Sequence, residues 1–407
     1  MRFFYSCSVH FYVFLIRLAA LFGKSKAKLW LKGRKLQKSE WTGAPAEDKW
    51  IWMHVSSLGE FEQGRTLLEH ISAKNEYKIL LTFFSPSGFE IRKNYDKADK
   101  ILYLSKDTKA NARKLLAKFH PEMVFFVKYE FWFNYLKVIK KASVPLYLIS
   151  GIFREKQHFF KIWGGWFRKQ LKAFNHFYIQ DENSAALLKK AGYTNATVCG
   201  DTRFDRVKSI AESAQIPEWL ERFGKAYKVY VGGSTWEPDD EYILKLIPKE
   251  PETKFIFVPH DVHESRIKGL LSKCPEGTVL YSQKDEHEPE KVKVLIIDSI
   301  GLLASLYKMA DLAQIGNGFG TGIHNVAEAA VYGCPVIFGP KYQKFKEAVD
   351  LIELGGGFSF KNETEYFTLC DKLLHNEKSL AEAGGIAGKY ISENSGATKR
   401  ITDDLGL

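Results

Sequence analysis

Apolar runs rich in β-branched and aromatic residues alternate with amphipathic stretches along most of the chain. In the first half the runs fall at 50–55, 78–84, 101–104, 123–127, 145–149, 177–180 and 196–199. Helical spacing of apolar residues fills most of the gaps, for example over 108–119 and 182–191. A second series restarts the pattern at 228–232, 254–258, 278–281, 293–297, 312–315 and 335–338. Strands buried on both faces read as continuous apolar runs, and alternation with helices predicts βαβ units around a parallel sheet. Two doubly wound α/β domains in series are therefore expected, facing a cleft at the carboxyl ends of their strands. The polar stretch 209–224, with Pro217, is the expected linker.

Ahead of the first strand the pattern changes. Residues 3–22 are apolar almost throughout, with His10 and Arg17 as interruptions. That length is close to the roughly 20 residues that cross a bilayer core as a helix, and the interruptions fit a tilted or half-embedded anchor equally well. No small-residue cleavage site follows, which disfavours a removed signal peptide. A basic run comes next: Lys24, Lys26, Lys28, Lys32, Arg34, Lys35 and Lys38, with no acid before Glu40. One-signed charge beside an apolar segment predicts the cytoplasmic side of a membrane and attraction to anionic headgroups. The alternative is an ordinary first helix with a solvated basic face.

The net charge of +11 points the same way, toward an acidic membrane or a phosphorylated substrate. Zinc-finger spacing, RNA-recognition signatures and dense arginine tracts are absent from the sequence, so no nucleic-acid partner is expected. Cys7, Cys199, Cys274, Cys334 and Cys370 are far apart and form no CxxC pair, which argues against a disulfide framework and a metal knuckle.

Candidate chemistry collects where strands give way to helices. His54-Val55-Ser56-Ser57-Leu58-Gly59-Glu60 follows the first strand and opens a helix. A carboxylate there can take a proton from an attacking hydroxyl, or it can simply be a first-turn acid favoured by the helix dipole. Glu130, in Lys128-Tyr129-Glu130-Phe131-Trp132, follows another buried strand and is expected to face the ligand cleft. The run 316–328 is a glycine-rich loop entering a helix, where backbone can approach a phosphate. No Gly-Lys-Ser/Thr follows, so it is not a P-loop. Glu328 in that helix can accept hydrogen bonds from ribose hydroxyls. Val258-Pro259-His260 and Asp298-Ser299-Ile300-Gly301-Leu302 end two further strands and could hold a base and phosphate.

Six of these segments together resemble the 3-deoxy-D-manno-octulosonic acid (Kdo) transferases in order and spacing. They are 54–60, 129–132, Gly-Asp-Thr-Arg-Phe-Asp at 200–205, 298–301, His-Asn-Val-Ala-Glu at 324–328 and Pro-Val-Ile-Phe-Gly-Pro at 335–340. The resemblance implies a GT-B glycosyltransferase: an anchor and basic flank over 1–38, an acceptor domain over 39–215, and a nucleotide-sugar domain over 216–407 whose last helix is a candidate to cross back. It implies inverting transfer of Kdo from CMP-Kdo to the lipid A precursor (lipid IVA), at the cytoplasmic face of the cell inner membrane, with no cofactor and no metal. It also implies Glu60 as general base, Glu130 as a second acidic site residue, and Arg203 where the family usually has lysine. Helix N-termini of the second domain and Arg203 would stabilise the departing phosphate. The implied CMP-binding positions are Pro259, His260, Ile300, Gly301, Leu302, Asn325, Val326, Ala327 and Glu328. Pro259-His260 stands where the family has Pro-Arg, and Gly-Asp-Thr-Arg where it has Gly-Asn-Leu-Lys. The rival expectations are another GT-B nucleotide-sugar enzyme, such as a UDP-sugar transferase or epimerase, and a membrane-anchored, non-catalytic sugar-binding protein.

Overall fold

The computed structural model describes residues 1–40 and 47–407. The chain forms two compact units: Met1–Arg206 with Gly396–Leu407, and Val207–Ser395.

The first unit is built on seven parallel strands: β1 (Trp50–Val55), β2 (Lys78–Phe83), β3 (Lys100–Tyr103), β4 (Pro121–Val127), β5 (Leu146–Gly151), β6 (His176–Ile179) and β7 (Ala196–Val198). Their spatial order is β3-β2-β1-β4-β5-β6-β7. The chain starts in the middle, winds outward to β3, and returns to lay β4 on the other side of β1. That reversal opens a crevice at the carboxyl ends of β1 and β4. Alternate strand residues serve opposite faces. Trp52, Leu80, Phe126 and Leu148 are buried in one core cluster, and Met53, Leu81, Phe125 and Ile149 in the other.

Three helices of this unit are α1 (Arg2–Leu21), α2 (Ser25–Glu40) and α3 (Leu58–Lys74). α1 is long and apolar enough to cross a membrane by length and composition. One of its faces is held by the first unit. Arg2 donates to Gln170 Oε1 at 2.5 Å, Tyr5 Oη to Asp107 at 2.5 Å, and Tyr12 stacks on Phe84. The opposite face exposes Phe4, Phe11, Phe14, Leu18 and Phe22.

The last helix, Ala397–Leu405, belongs to the first unit. Ala397 and Ile401 are buried beside Phe61 and Leu68 of α3. Asp205 accepts from the Gly396 and Thr398 amides, and Tyr178 Oη donates to Asp404 at 2.5 Å.

The second unit repeats the architecture with β8 (Lys228–Thr235), β9 (Thr253–Pro259), β10 (Val279–Leu280), β11 (Val294–Ile296), β12 (Leu312–Ile315), β13 (Val336–Phe338) and β14 (Gly357–Ser359). All pair in parallel in the order β10-β11-β9-β8-β12-β13-β14, so the reversal lies between β8 and β12. The expected α/β architecture, a pair of Rossmann-like units with an apolar N-terminal helix, is what the chain adopts. Two local expectations fail. β14 has no counterpart among the expected strands. Residues 209–224 do not form a linker: Thr202–Ser213 and Glu218–Gly224 are helices, and the division between the units falls inside the first of them.

Candidate active site

In the first unit the reversal between β1 and β4 brings Glu60 and Glu130 to neighbouring strand ends. Glu60 is the third residue of α3 and half-buried. Its Oε2 accepts from the Ser57 amide at 3.0 Å and from the Ser57 hydroxyl. The carboxylate thus sits where a helix favours negative charge, turned back onto its own cap. In this conformation the first-turn role is fulfilled, with Ser57 supplying both donors.

Glu130 is buried, at 5% exposure. The chain leaves β4 through Lys128 in the left-handed region (φ 62°), which turns the following residues back over the sheet end. Glu130 Oε2 accepts from Trp132 Nε1 at 2.5 Å and faces His54 Nε2 at 3.1 Å. His54 is fully buried on β1, and its Nδ1 lies 2.9 Å from Thr82 Oγ1 and 3.1 Å from the Thr82 carbonyl. Trp52 Nε1 in turn donates to Thr82 Oγ1 at 2.8 Å. Trp132 Nε1 also lies 2.8 Å from His54 Nε2, so Trp132, His54 and Glu130 form one buried cluster with the imidazole oriented by Thr82. No role for His54 was expected from sequence. A histidine in the middle of a strand buried throughout was the available signal.

Arg203 follows β7. Its amide and Nε both donate to Asp201 at 2.9 Å, and Asp201 also accepts from the buried Gln63 side chain at 3.0 Å. Tyr129 shows that these groups share one edge. Burial raises its phenol, Asp181 and Glu60 push the same way, and Arg154 and Arg203 oppose them. Glu60, Tyr129, Arg154, Asp181 and Arg203 lie in the segments that follow β1, β4, β5, β6 and β7. Beside them lies a cavity of about 470 Å³ walled by Phe131, Phe133, Phe159, Tyr129 and Arg154.

In the second unit the rings after β8, β9 and β12 form a stack. Trp236 lies 5.1 Å from His260 at an interplanar angle of 28°, and His260 lies 4.4 Å from His324 at 21°. Burial, and then the neighbouring His260, lowers His324 to about 4. Its buried Nε2 has no hydrogen-bond partner among the described residues. Pro259 is buried at the end of β9, and His260 is exposed.

The glycine-rich loop after β12 departs from expectation. Its glycines accommodate protein rather than leaving backbone bare for a phosphate. A Cβ on Gly318 would collide with the Gly339 backbone, and one on Gly316 with Ser234. Phe319 stacks on Tyr242 at 5.1 Å, and the Asn317 amide donates to buried Asp239 at 2.8 Å. The helix that follows is a single turn, Ala327–Ala330. Asn325 caps it, accepting from the Ala327 amide at 3.1 Å and donating to Glu328 at 3.0 Å. Val326 and Ala327 are buried, so they can meet a ligand only through backbone. After β11, Asp298 accepts from Ser282 at 2.5 Å, Ile300 is 89% exposed, Gly301 has φ 108°, and Leu302 caps Leu303–Leu306.

The family model described as 3-deoxy-D-manno-octulosonic-acid transferase (kdotransferase) matches residues 28–206. The chain is 27% identical over 358 residues to the 3-deoxy-D-manno-octulosonic acid transferase of Aquifex aeolicus, covering 84% of this chain and 92% of that protein. The chain is thus similar to Kdo transferases over most of its length. It is also 24% identical over 355 residues to a bifunctional glycosyltransferase/methyltransferase of Fusobacterium nucleatum, and spans about half of that longer protein (54%). Among solved structures, UDP-GlcNAc 2-epimerase from Neisseria meningitidis aligns over 88% of the chain with a TM-score of 0.61 at 17% identity. MurG of Acinetobacter baumannii aligns over 87% with 0.54 at 12%. At such identities these structures speak for the fold, a GT-B pair of Rossmann-like units. The Kdo-transferase match covers the part of the chain that carries Glu60, Glu130 and Arg203.

Proposed function

We propose that this chain transfers Kdo from CMP-Kdo to lipid IVA by direct displacement with inversion and without a metal. One observation carries the reading: the Kdo-transferase match runs through a strand-order reversal whose two loops present Glu60 and Glu130.

Glu60 releases the Ser57 hydroxyl, keeps the Ser57 amide, and takes the proton of the acceptor hydroxyl. The freed oxygen bonds to the anomeric carbon of Kdo. The bond from that carbon to the phosphate oxygen breaks, and CMP departs with the electron pair. Glu130, fixed by Trp132 and His54, contributes a second carboxylate beside the reacting hydroxyl. Tyr129, Arg154 and the cavity beside them receive the phosphorylated sugar of the acceptor. In the second unit Pro259, His260, Ile300–Leu302 and Asn325–Glu328 hold CMP. Trp236, His260 and His324 offer flat faces to the nucleotide.

The exposed aromatic face of α1 and the lysines of α2 support residence at the cytoplasmic face of the inner membrane. α1 is tied to the first unit through Arg2, Tyr5 and Tyr12, which favours a helix lying in the interface over a separate span. Incubation with CMP-Kdo and lipid IVA should raise the lipid's mass by Kdo and release CMP, at a rate unchanged by a chelator. CMP should inhibit and UDP should not. Inhibition by UDP with no Kdo transfer would select a UDP-sugar enzyme, and sugar binding with no CMP release a non-catalytic binder.

A further inference from the structure

Two cavities adjoin beneath the N-terminal helices. The first, about 300 Å³, lies between α1 and the body of the first unit, with Val9, Val13, Trp30, Phe84 and Trp132 in its wall. The second, about 540 Å³, shares Val13, Trp30 and Lys106 with the first. Its charged lining is of one sign: Arg17, Arg34, Lys35, Lys106 and Lys114. Arg34 is already committed. Its guanidinium sits 3.7 Å from the Trp30 ring centre, donates to the Phe84 and Leu104 carbonyls, and is lowered to about 9 by burial. Arg17, Lys35 and Lys106 are exposed.

An apolar slot opening into a cationic bowl has the chemistry of a phosphate-bearing lipid. The outward face of the helix that walls the slot is lined with exposed phenylalanine and leucine, a surface suited to hydrocarbon. We propose that these cavities bind one anionic phospholipid of the bilayer, its acyl chain under α1 and its phosphate among Arg17, Lys35 and Lys106. The site is separate from the acceptor's. Apart from Trp132 after β4, it is built on α1, α2 and the chain after β2 and β3, whereas Tyr129, Arg154, Asp181 and Arg203 lie after β4 to β7. It is nevertheless coupled to the chemistry. Trp132 presents its ring to the slot and its N–H to Glu130, so a seated chain holds the Trp132–Glu130–His54 arrangement in place.

The proposal rests on membrane residence but not on the transfer reaction, and its test uses no CMP-Kdo. Full-length protein is reconstituted in phosphatidylcholine nanodiscs with or without phosphatidylglycerol. After release into mild detergent, native mass spectrometry counts retained lipid. The expected result is one phosphatidylglycerol per chain, with retention weakened roughly ten-fold or more in Lys35→Glu/Lys106→Glu and lost in Val9→Phe. The charge changes are on exposed side chains, so they report even if the slot variant folds poorly. Equal retention of both lipids, or retention indifferent to the charge pair, would overturn the site. So would displacement by inorganic phosphate alone, or one-for-one displacement by lipid IVA, which would reassign the cavities to the acceptor.

Discussion

Glu60 and Glu130 leave neighbouring strands but enter different surroundings, and different substitutions separate their roles. Glu60 is half-buried and, among the described residues, held by its own helix cap. Glu60→Gln keeps the shape and can still accept from Ser57, so folding and donor affinity should persist. Loss of a general base lowers kcat by roughly 10²–10⁴-fold, which a turnover assay beside a CMP-Kdo binding isotherm would register. Glu130 is buried, accepts from the Trp132 ring N–H, and lies 3.1 Å from His54 Nε2. Glu130→Ala should remove the carboxylate from this buried cluster and cost about 1–3 kcal/mol in urea unfolding. Glu130→Gln should retain most of that stability while still lowering kcat. The residues that reading the sequence did not supply are those whose partners lie far along the chain. His54 meets Thr82 and Glu130 at separations of 28 and 76 residues. Arg34 counts as one more headgroup cation in the sequence, but Phe84 and Tyr103 close around it in the fold.

Among elements, strands were legible because those buried on both faces are continuous apolar runs, and the strands of the first series fall within two or three residues of their expected bounds. β14 was not, being three residues at a sheet edge with one large apolar side chain. The glycine-rich loop shows a subtler limit. Glycine announces a close approach without saying what approaches. At Gly318 it is Gly339, in the loop after β13. Gly318→Ala should therefore displace that loop and destabilise the second unit by roughly 1–3 kcal/mol, read in thermal unfolding. The ring stack beside this loop carries a pH signature. His324 titrates near 4 when folded, against 6.5 for an ordinary histidine. Between these values the unfolded chain binds a proton that the folded chain refuses, so this contribution is present above about 6.5 and lost as pH falls toward 4. Asp239, pushed up to about 6 by burial, works in the opposite sense, so the wild-type profile alone is ambiguous. Melting curves of wild type and His324→Gln should isolate the effect: the variant gains relative to wild type as pH is lowered.

At the scale of the molecule, two successive βαβ series predicted two Rossmann-like units, and they are present. Which unit owns the final helix is a tertiary fact. The i, i+4 pair Ala397 and Ile401 marks an apolar face, but only packing against Phe61 and Leu68 assigns it to the first unit. Ile401→Ala should cost about 2–5 kcal/mol and loosen α3, the helix that carries Glu60; hydrogen exchange of α3 amides would show it. The Kdo-transferase match over 28–206 and that carboxylate thus meet in one element. Kdo transfer is decided by mass spectrometry of lipid IVA after incubation with CMP-Kdo, run with wild type and Glu60→Gln at equal concentration. The wild type should convert the lipid to its Kdo adduct, and the variant should leave it essentially unmodified while still binding CMP-Kdo. Lipid left unmodified by the wild type, or a variant as fast as wild type, would contradict the assignment.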